Sequence, residues 1–338
     1  MTFVVVFVIC AAIVVAAAVA LARAADAIAE ITNVGRLWIG SVLLAGATSL
    51  PELVTDISAV RMGAADLAVG DLFGSSMANM LILSIIDLVP PRGRVLQRAA
   101  FDHALAATLA ISMNALAAVL VIVRADVSFL GVGPGSVIMA VTYLAGTRAV
   151  YRHATRDQAT AVVAATTAAA VAAPLATTTA GSLRRAVVRF VVAALVILAA
   201  APGLAWAAKG IATMSGLSNT FIGTWLVGLA TSLPELVASL AAVRMGAFDM
   251  AVGNLFGSNA LNMAIFLPLD MAQPGNIFAT LDPNHALSAL FAILLMSLGL
   301  AAIVYRAKHR VAVIEPDSLL MLIAYAAGLW MVYRHVAG

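Results

Sequence analysis

Thr48-Ser-Leu-Pro-Glu-Leu-Val54 recurs as Thr231-Ser-Leu-Pro-Glu-Leu-Val237. Downstream of it, Arg61-Met-Gly-Ala64 recurs as Arg244-Met-Gly-Ala247, and Leu72-Phe-Gly-Ser75 with Asn79 recurs as Leu255-Phe-Gly-Ser258 with Asn262. Between residues 48–79 and 231–262, 22 of 32 positions are identical at a constant offset of 183. Each copy sets a glutamate directly after a proline inside an otherwise apolar run. An ionisable residue within a membrane segment is costly and marks an ion or proton pathway. Interrupted apolar segments at corresponding positions of two halves point to a transporter's binding region.

Composition sets the solvent. The chain is 63% hydrophobic and 10% charged, against about 25% charged residues in soluble domains. Helix-length apolar runs recur along it, so we read an all-α polytopic membrane protein; the short alternating strands of a β-barrel are missing. The net charge of +3 is small and lies in loops, which gives no indication of nucleic-acid binding. Cys10 is the only cysteine, so neither a disulfide framework nor a thiolate metal site can be built. The N-terminal apolar run lacks a basic leader and reads as the first membrane helix rather than a signal peptide. No phosphate loop, nucleophile–base set or His/Cys cluster is present, so we expect no enzyme and no cofactor. No polar stretch is long enough for the nucleotide domain of an ATP-driven pump.

We place ten spans, at 2–22, 37–60, 66–89, 99–123, 128–150, 186–209, 218–243, 249–271, 284–305 and 317–334. The Ala/Thr-rich stretch 159–180 is an eleventh candidate, weakened by Pro174. With ten spans, fifteen of the 19 basic residues fall on one side and four on the other; an eleventh makes the split ten to nine. The positive-inside rule therefore favours ten, with both termini outside and a cytoplasmic linker. The expected organisation is a first five-helix repeat over 1–150, the linker over 151–185 and a second five-helix repeat over 186–338. Five is odd, so the second repeat must be inverted relative to the first. His103-Ala-Leu-x-Ala and His285-Ala-Leu-x-Ala extend the echo to the fourth and ninth spans, where each histidine reads as an interfacial helix-start residue.

Proline has no N–H and clashes with the carbonyl four residues earlier. Pro51 thus frees the Ala47 carbonyl, and Pro234 frees that of Ala230. Such oxygens persist at membrane depth only where they line a cavity or meet a ligand. Thr48 and Ser49 precede Glu52 by four and three residues, and Ser75 and Asn79 are one turn apart on the next helix. Bringing the halves together assembles Ala47, Thr48, Ser49, Glu52, Ser75 and Asn79 with Ala230, Thr231, Ser232, Glu235, Ser258 and Asn262. All are hard oxygen donors of the kind calcium and sodium accept.

Gly228-Leu-Ala-Thr-Ser-Leu-Pro-Glu235 and Gly253-Asn-Leu-Phe-Gly-Ser-Asn-Ala-Leu-Asn262 resemble the α-repeats of the sodium/calcium exchanger family, within the cation/calcium antiporter superfamily. The resemblance covers about 40 residues in each half and is specific because it is doubled and inverted. It implies ten helices and a central site alternately open to each side. It also implies that Glu52 and Glu235 are the charged ligands, completed by the other ten residues just named. The expected function is sodium/calcium exchange in the cell membrane, with calcium, sodium and the bilayer as partners and no obligate protein partner. The alternatives are a proton/calcium or other cation antiporter of the same fold and, from another class, a cation channel or sensor. Two departures stand out. Many members carry Asp where Asn262 stands here. The copies also disagree at Asp56/Ser239 and Asp71/Asn254, and Asp56 reads as an external entry residue for cations.

Overall fold

The computed structural model describes residues 2–88, 95–98, 103–129, 131–168, 180–213, 228–273, 275–305 and 316–336. Among these, apart from one isolated bridge between Phe129 and Val132, the regular structure is helical. The first half contains α1 (Thr2–Thr32), α2 (Arg36–Thr48), α3 (Leu50–Arg61), α4 (Ala65–Leu88), α5 (His103–Val123) and α6 (Pro134–Ala168). The second contains α7 (Ala180–Thr213), α8 (Gly228–Thr231), α9 (Leu233–Met245), α10 (Phe248–Ala264), α11 (Phe266–Ala272), α12 (His285–Tyr305) and α13 (Pro316–Val336). Two single-turn helices, Val95–Arg98 and Ile277–Thr280, follow α4 and α11.

The predicted spans coincide with helix over most of their described residues, with the main exception at an end: 128–150 becomes helical only at Pro134, after the Phe129–Val132 bridge; 89, 99–102, 130 and 218–227 lie outside the described residues. Among the described residues, α1, α4, α5, α10 with α11, α12 and α13 are long and apolar enough to cross a membrane. The pair α2–α3, bent by 40°, makes a seventh if taken as one span. The segment predicted as a linker is helical where described: α6 runs on to Ala168 and α7 begins at Ala180. Its alanines explain this, since alanine has the highest helix propensity and the arginines among them are good helix formers too. The candidate eleventh span, 159–180, has its residues 169–179 outside the described set.

The interior belongs to α4 and α10. In the most apolar window of each span, 89% of α4 and 83% of α10–α11 is buried, against 22% of α1. α10 lies against α2, α4 and α5, and α4 against α3, α12 and α13. Small residues permit this approach: a Cβ on Gly257 would run into the Ser41 backbone carbonyl, and one on Gly40 into that of Met250. α1 and α7 pack along each other and turn Val4, Val8, Ile9, Val188, Val192 and Leu195 outward, the face a lipid-exposed helix presents.

Three sets of reciprocal contacts tie the halves. At the centre, Thr48 Oγ1 donates to Asn254 Oδ1 (3.3 Å) and Thr231 Oγ1 to Asp71 Oδ1 (2.9 Å). At the helix starts, His103 Nε2 pairs with Asp249 (2.9 Å) and His285 Nε2 with Asp66 (3.1 Å). At the helix ends, Ser318 Oγ donates to Asp87 (2.7 Å) and Ser136 Oγ to Asp270. When residue i meets j and the copy of j meets the copy of i, the halves are related by a two-fold operation. The histidines start their helices as read from sequence, but each side chain is fully buried within the protein and reaches across to the other half.

Candidate functional site

Both motif helices break at the same place. Ser49 (φ −89°, ψ 4°) separates α2 from α3, and Ser232 (φ −79°, ψ 5°) separates α8 from α9. Proline in the first turn explains the break: it is tolerated there because the early N–H groups of a helix have no intrahelical partner. Hydrogen bonding resumes beyond it, from Leu53 N to Ser49 O and from Leu236 N to Ser232 O. Glu52 and Glu235 therefore sit in the first turns of α3 and α9, at the positive end of each helix, where a carboxylate is favoured.

The twelve predicted residues are all buried. Glu52 is 1% and Glu235 0% exposed, and the two lie within electrostatic reach of each other. Ser49 Oγ donates to Glu235 Oε1 across the halves (3.1 Å). Ser75 Oγ meets Thr231 Oγ1 (3.3 Å) and the Gly228 carbonyl (3.4 Å). Ala47 and Ala230, four residues before the prolines, are each 5% exposed.

Much of this polar surface has no partner. Glu52 Oε2, Glu235 Oε2, Asn79 Oδ1, Ser232 Oγ, Ser258 Oγ and both polar atoms of Asn262 are buried without a hydrogen bond. Native interiors leave few such atoms, and a group of them calls for an ion or another bound species. Among the described residues no three Asp, Glu, His or Cys side chains form a metal-binding group, so hydroxyls, carboxamides and carbonyls would supply most of the coordination. Calcium and sodium accept these donors, and calcium takes six to eight of them.

The structure also recruits residues that the sequence reading left out. Asn79 Nδ2 donates to Asn259 Oδ1 (2.8 Å), not to Asn262. Asn259 Nδ2 in turn reaches the Ser76 carbonyl (3.3 Å), and Asn114 Nδ2 the Asn259 carbonyl (3.4 Å). The signal for Asn259 was its mismatch with Ser76 at the 183 offset; Asn114 carried none. Asp56, read as an external entry residue, is 1% exposed and faces Asp71. Asp26 and Glu30 both pair with Arg36, at 2.7 and 3.0 Å, which anchors the end of α1 to the start of α2.

The family model described as sodium/calcium exchanger protein matches residues 2–152 and 185–334. The inner membrane protein YrbG of Escherichia coli is 29% identical over 288 residues, covering 84% of this chain and 82% of YrbG. The sodium/calcium exchanger MaX1 of Methanosarcina acetivorans is 37% identical over 95 residues, 26% of this chain and 27% of MaX1. Among solved structures, the sodium-calcium exchanger NCX_Mj has the same fold. It superposes with a TM-score of 0.67 at 22% identity, covering 97% of this chain and 98% of that one. With its apolar helices and a family model spanning both halves, this chain is an integral membrane protein and belongs to the sodium/calcium exchanger protein family.

Proposed function

We propose that the chain is a secondary antiporter that exports calcium from the cell in exchange for sodium entry. The carrying observation is the set of buried, unpartnered oxygens on Glu52, Asn79, Ser232, Glu235, Ser258 and Asn262, contributed by both halves around two broken helices. In this reading the twelve residues from Ala47 to Asn262 are the ion ligands, and no cofactor takes part. Two ionised glutamates balance one calcium or two sodium ions. The cations compete for shared donors, so one must leave before the other binds, and one gradient thereby drives the other.

The ten helices form two five-helix halves in opposite membrane orientation, with both termini outside and residues 151–185 on the cytoplasmic side of the cell membrane. The reciprocal contacts between halves support this arrangement, as does the split of basic residues. The paired α1 and α7, packed on one another and outside the buried core of α4 and α10, are the elements that would rock against that core to alternate access. The names of its relatives, an inner membrane protein and a sodium/calcium exchanger, agree with this reading.

The test is reconstitution into liposomes. Radioactive calcium uptake should follow an outward sodium gradient and remain at background under a pH gradient alone. Uptake driven by protons and not by sodium would replace sodium with a proton as the coupling ion; sustained flux without any counter-ion would mean a channel.

A further inference from the structure

Positions 56 and 71 face each other between α3 and α4, as their counterparts 239 and 254 do between α9 and α10. In the second half the place is filled neutrally: Asn254 Nδ2 donates to Ser239 Oγ at 3.0 Å. In the first half it holds two carboxyl groups, Asp56 and Asp71, side by side within hydrogen-bonding reach. They are 1% and 0% exposed. Neither oxygen of Asp56 nor Oδ2 of Asp71 receives a hydrogen bond from a donor. Two acids in contact away from water are held together only by something positive between them.

The pair is joined to the central site. Asp71 Oδ1 accepts from Thr231 Oγ1 (2.9 Å) and from Ser75 Oγ (3.3 Å). A third carboxyl, Glu52, lies within electrostatic reach of both aspartates and carries its own buried, unpartnered Oε2. We infer that Asp71 and Asp56, with the hydroxyls of Ser75 and Thr231, form an off-centre subsite for a hard cation, sodium or calcium, on the first-half side of the transport site. The second half lacks it because Asn254 and Ser239 satisfy each other. The inference rests on the cation-exchange reading of the central site and adds to it an asymmetry in where charge is held.

The experiment is equilibrium binding of radioactive calcium and, separately, radioactive sodium to the purified full chain in detergent. The double variant Asp56→Ser with Asp71→Asn installs the second half's own residues. It should bind one fewer ion per chain, or bind one ion at least about tenfold more weakly, on the scale by which ligand charge tunes such sites. The arm that changes identifies the cation. Isotherms matching wild type for both ions would overturn the subsite, and would be the result if a shared proton alone held the pair. Glu235→Gln separates this from the central reading: binding intact in Glu235→Gln but lost in the double variant removes the central site and keeps the subsite. If the double variant does not fold, the converse pair Ser239→Asp with Asn254→Asp should raise the number of ions bound, and no gain would overturn the inference.

Discussion

Residues 48–79 and 231–262 share their helix breaks, their glycines and their glutamates, yet the polar filling beside the breaks differs. One half places Asn254 against Ser239; the other places Asp71 against Asp56. Farther out the copies agree again, with a His–Asp bridge and a Ser–Asp cap repeated on each side of the two-fold. The two copies thus share their scaffold contacts and diverge in the polar pair beside each helix break. Positions 71 and 254 keep their reciprocal contact in both copies, an Oδ1 accepting from Thr231 or from Thr48, and differ only in the second polar atom, which faces position 56 or 239 within the same half.

The largest effect should come from the position where the copies match in chemistry but not in contacts. Glu235 Oε1 accepts from Ser49 Oγ, whereas Ser232 Oγ and Glu52 Oε2 have no partner. If both glutamates are ligands, Glu52→Gln and Glu235→Gln should each lower calcium flux in liposomes by about a hundredfold or more, since even outer-shell partners of metal sites are worth tenfold to a hundredfold. A near-normal rate in one of them would mean that the site belongs to a single half.

A smaller effect probes the reciprocal caps. Asp270 accepts from Ser136 Oγ, Gly133 N and Ile277 N; Asp87 accepts from Ser318 Oγ and Leu96 N. Both carboxylates are buried, and each ties the end of one half's helix to the start of a helix in the other. Ser136→Ala and Ser318→Ala should each cost about 1–3 kcal/mol, the penalty for removing a donor from a buried charged acceptor. Thermal unfolding in detergent checks this. Costs of unequal size would show that the two ends of the bundle are not held alike.

Much of this architecture was legible because the membrane imposes strong local rules. Apolar runs located the helices, and a proline with no N–H located both breaks. The 183 offset brought the two glutamates together without any structural information. What escaped depends on contacts across the two-fold. His103 and His285 sit where interfacial residues sit in sequence, and only the packing of α5 on α10 and of α12 on α4 buries them. Asn114 lies in an apolar helix outside the repeated block, with nothing local to flag its bond to the Asn259 carbonyl. Residues 151–168 read as part of a cytoplasmic linker from the split of basic residues, a count that carries no information on their helical state, which follows from their alanine content.

The gentlest test addresses the histidines. Each is fully buried, but its partner is not: the side chains of Asp249 and Asp66 remain 42% and 43% exposed. Solvent screens a half-exposed carboxylate, so each bridge contributes at the lower end of the range for charged hydrogen bonds. The Nδ1 atom of each histidine is also buried without a partner, a cost that an apolar ring of similar shape would remove. His103→Phe and His285→Phe should therefore destabilise the protein by only about 1 kcal/mol each, and by equal amounts, measured as thermal unfolding in detergent. The two bridges share no partner, one reaching Asp249 and the other Asp66, so their effects should add in the double variant. A loss confined to one histidine would break the symmetry at the scaffold level, where the contacts make it strongest. Divergence would then extend beyond the polar pairs at the helix breaks into the core that positions them.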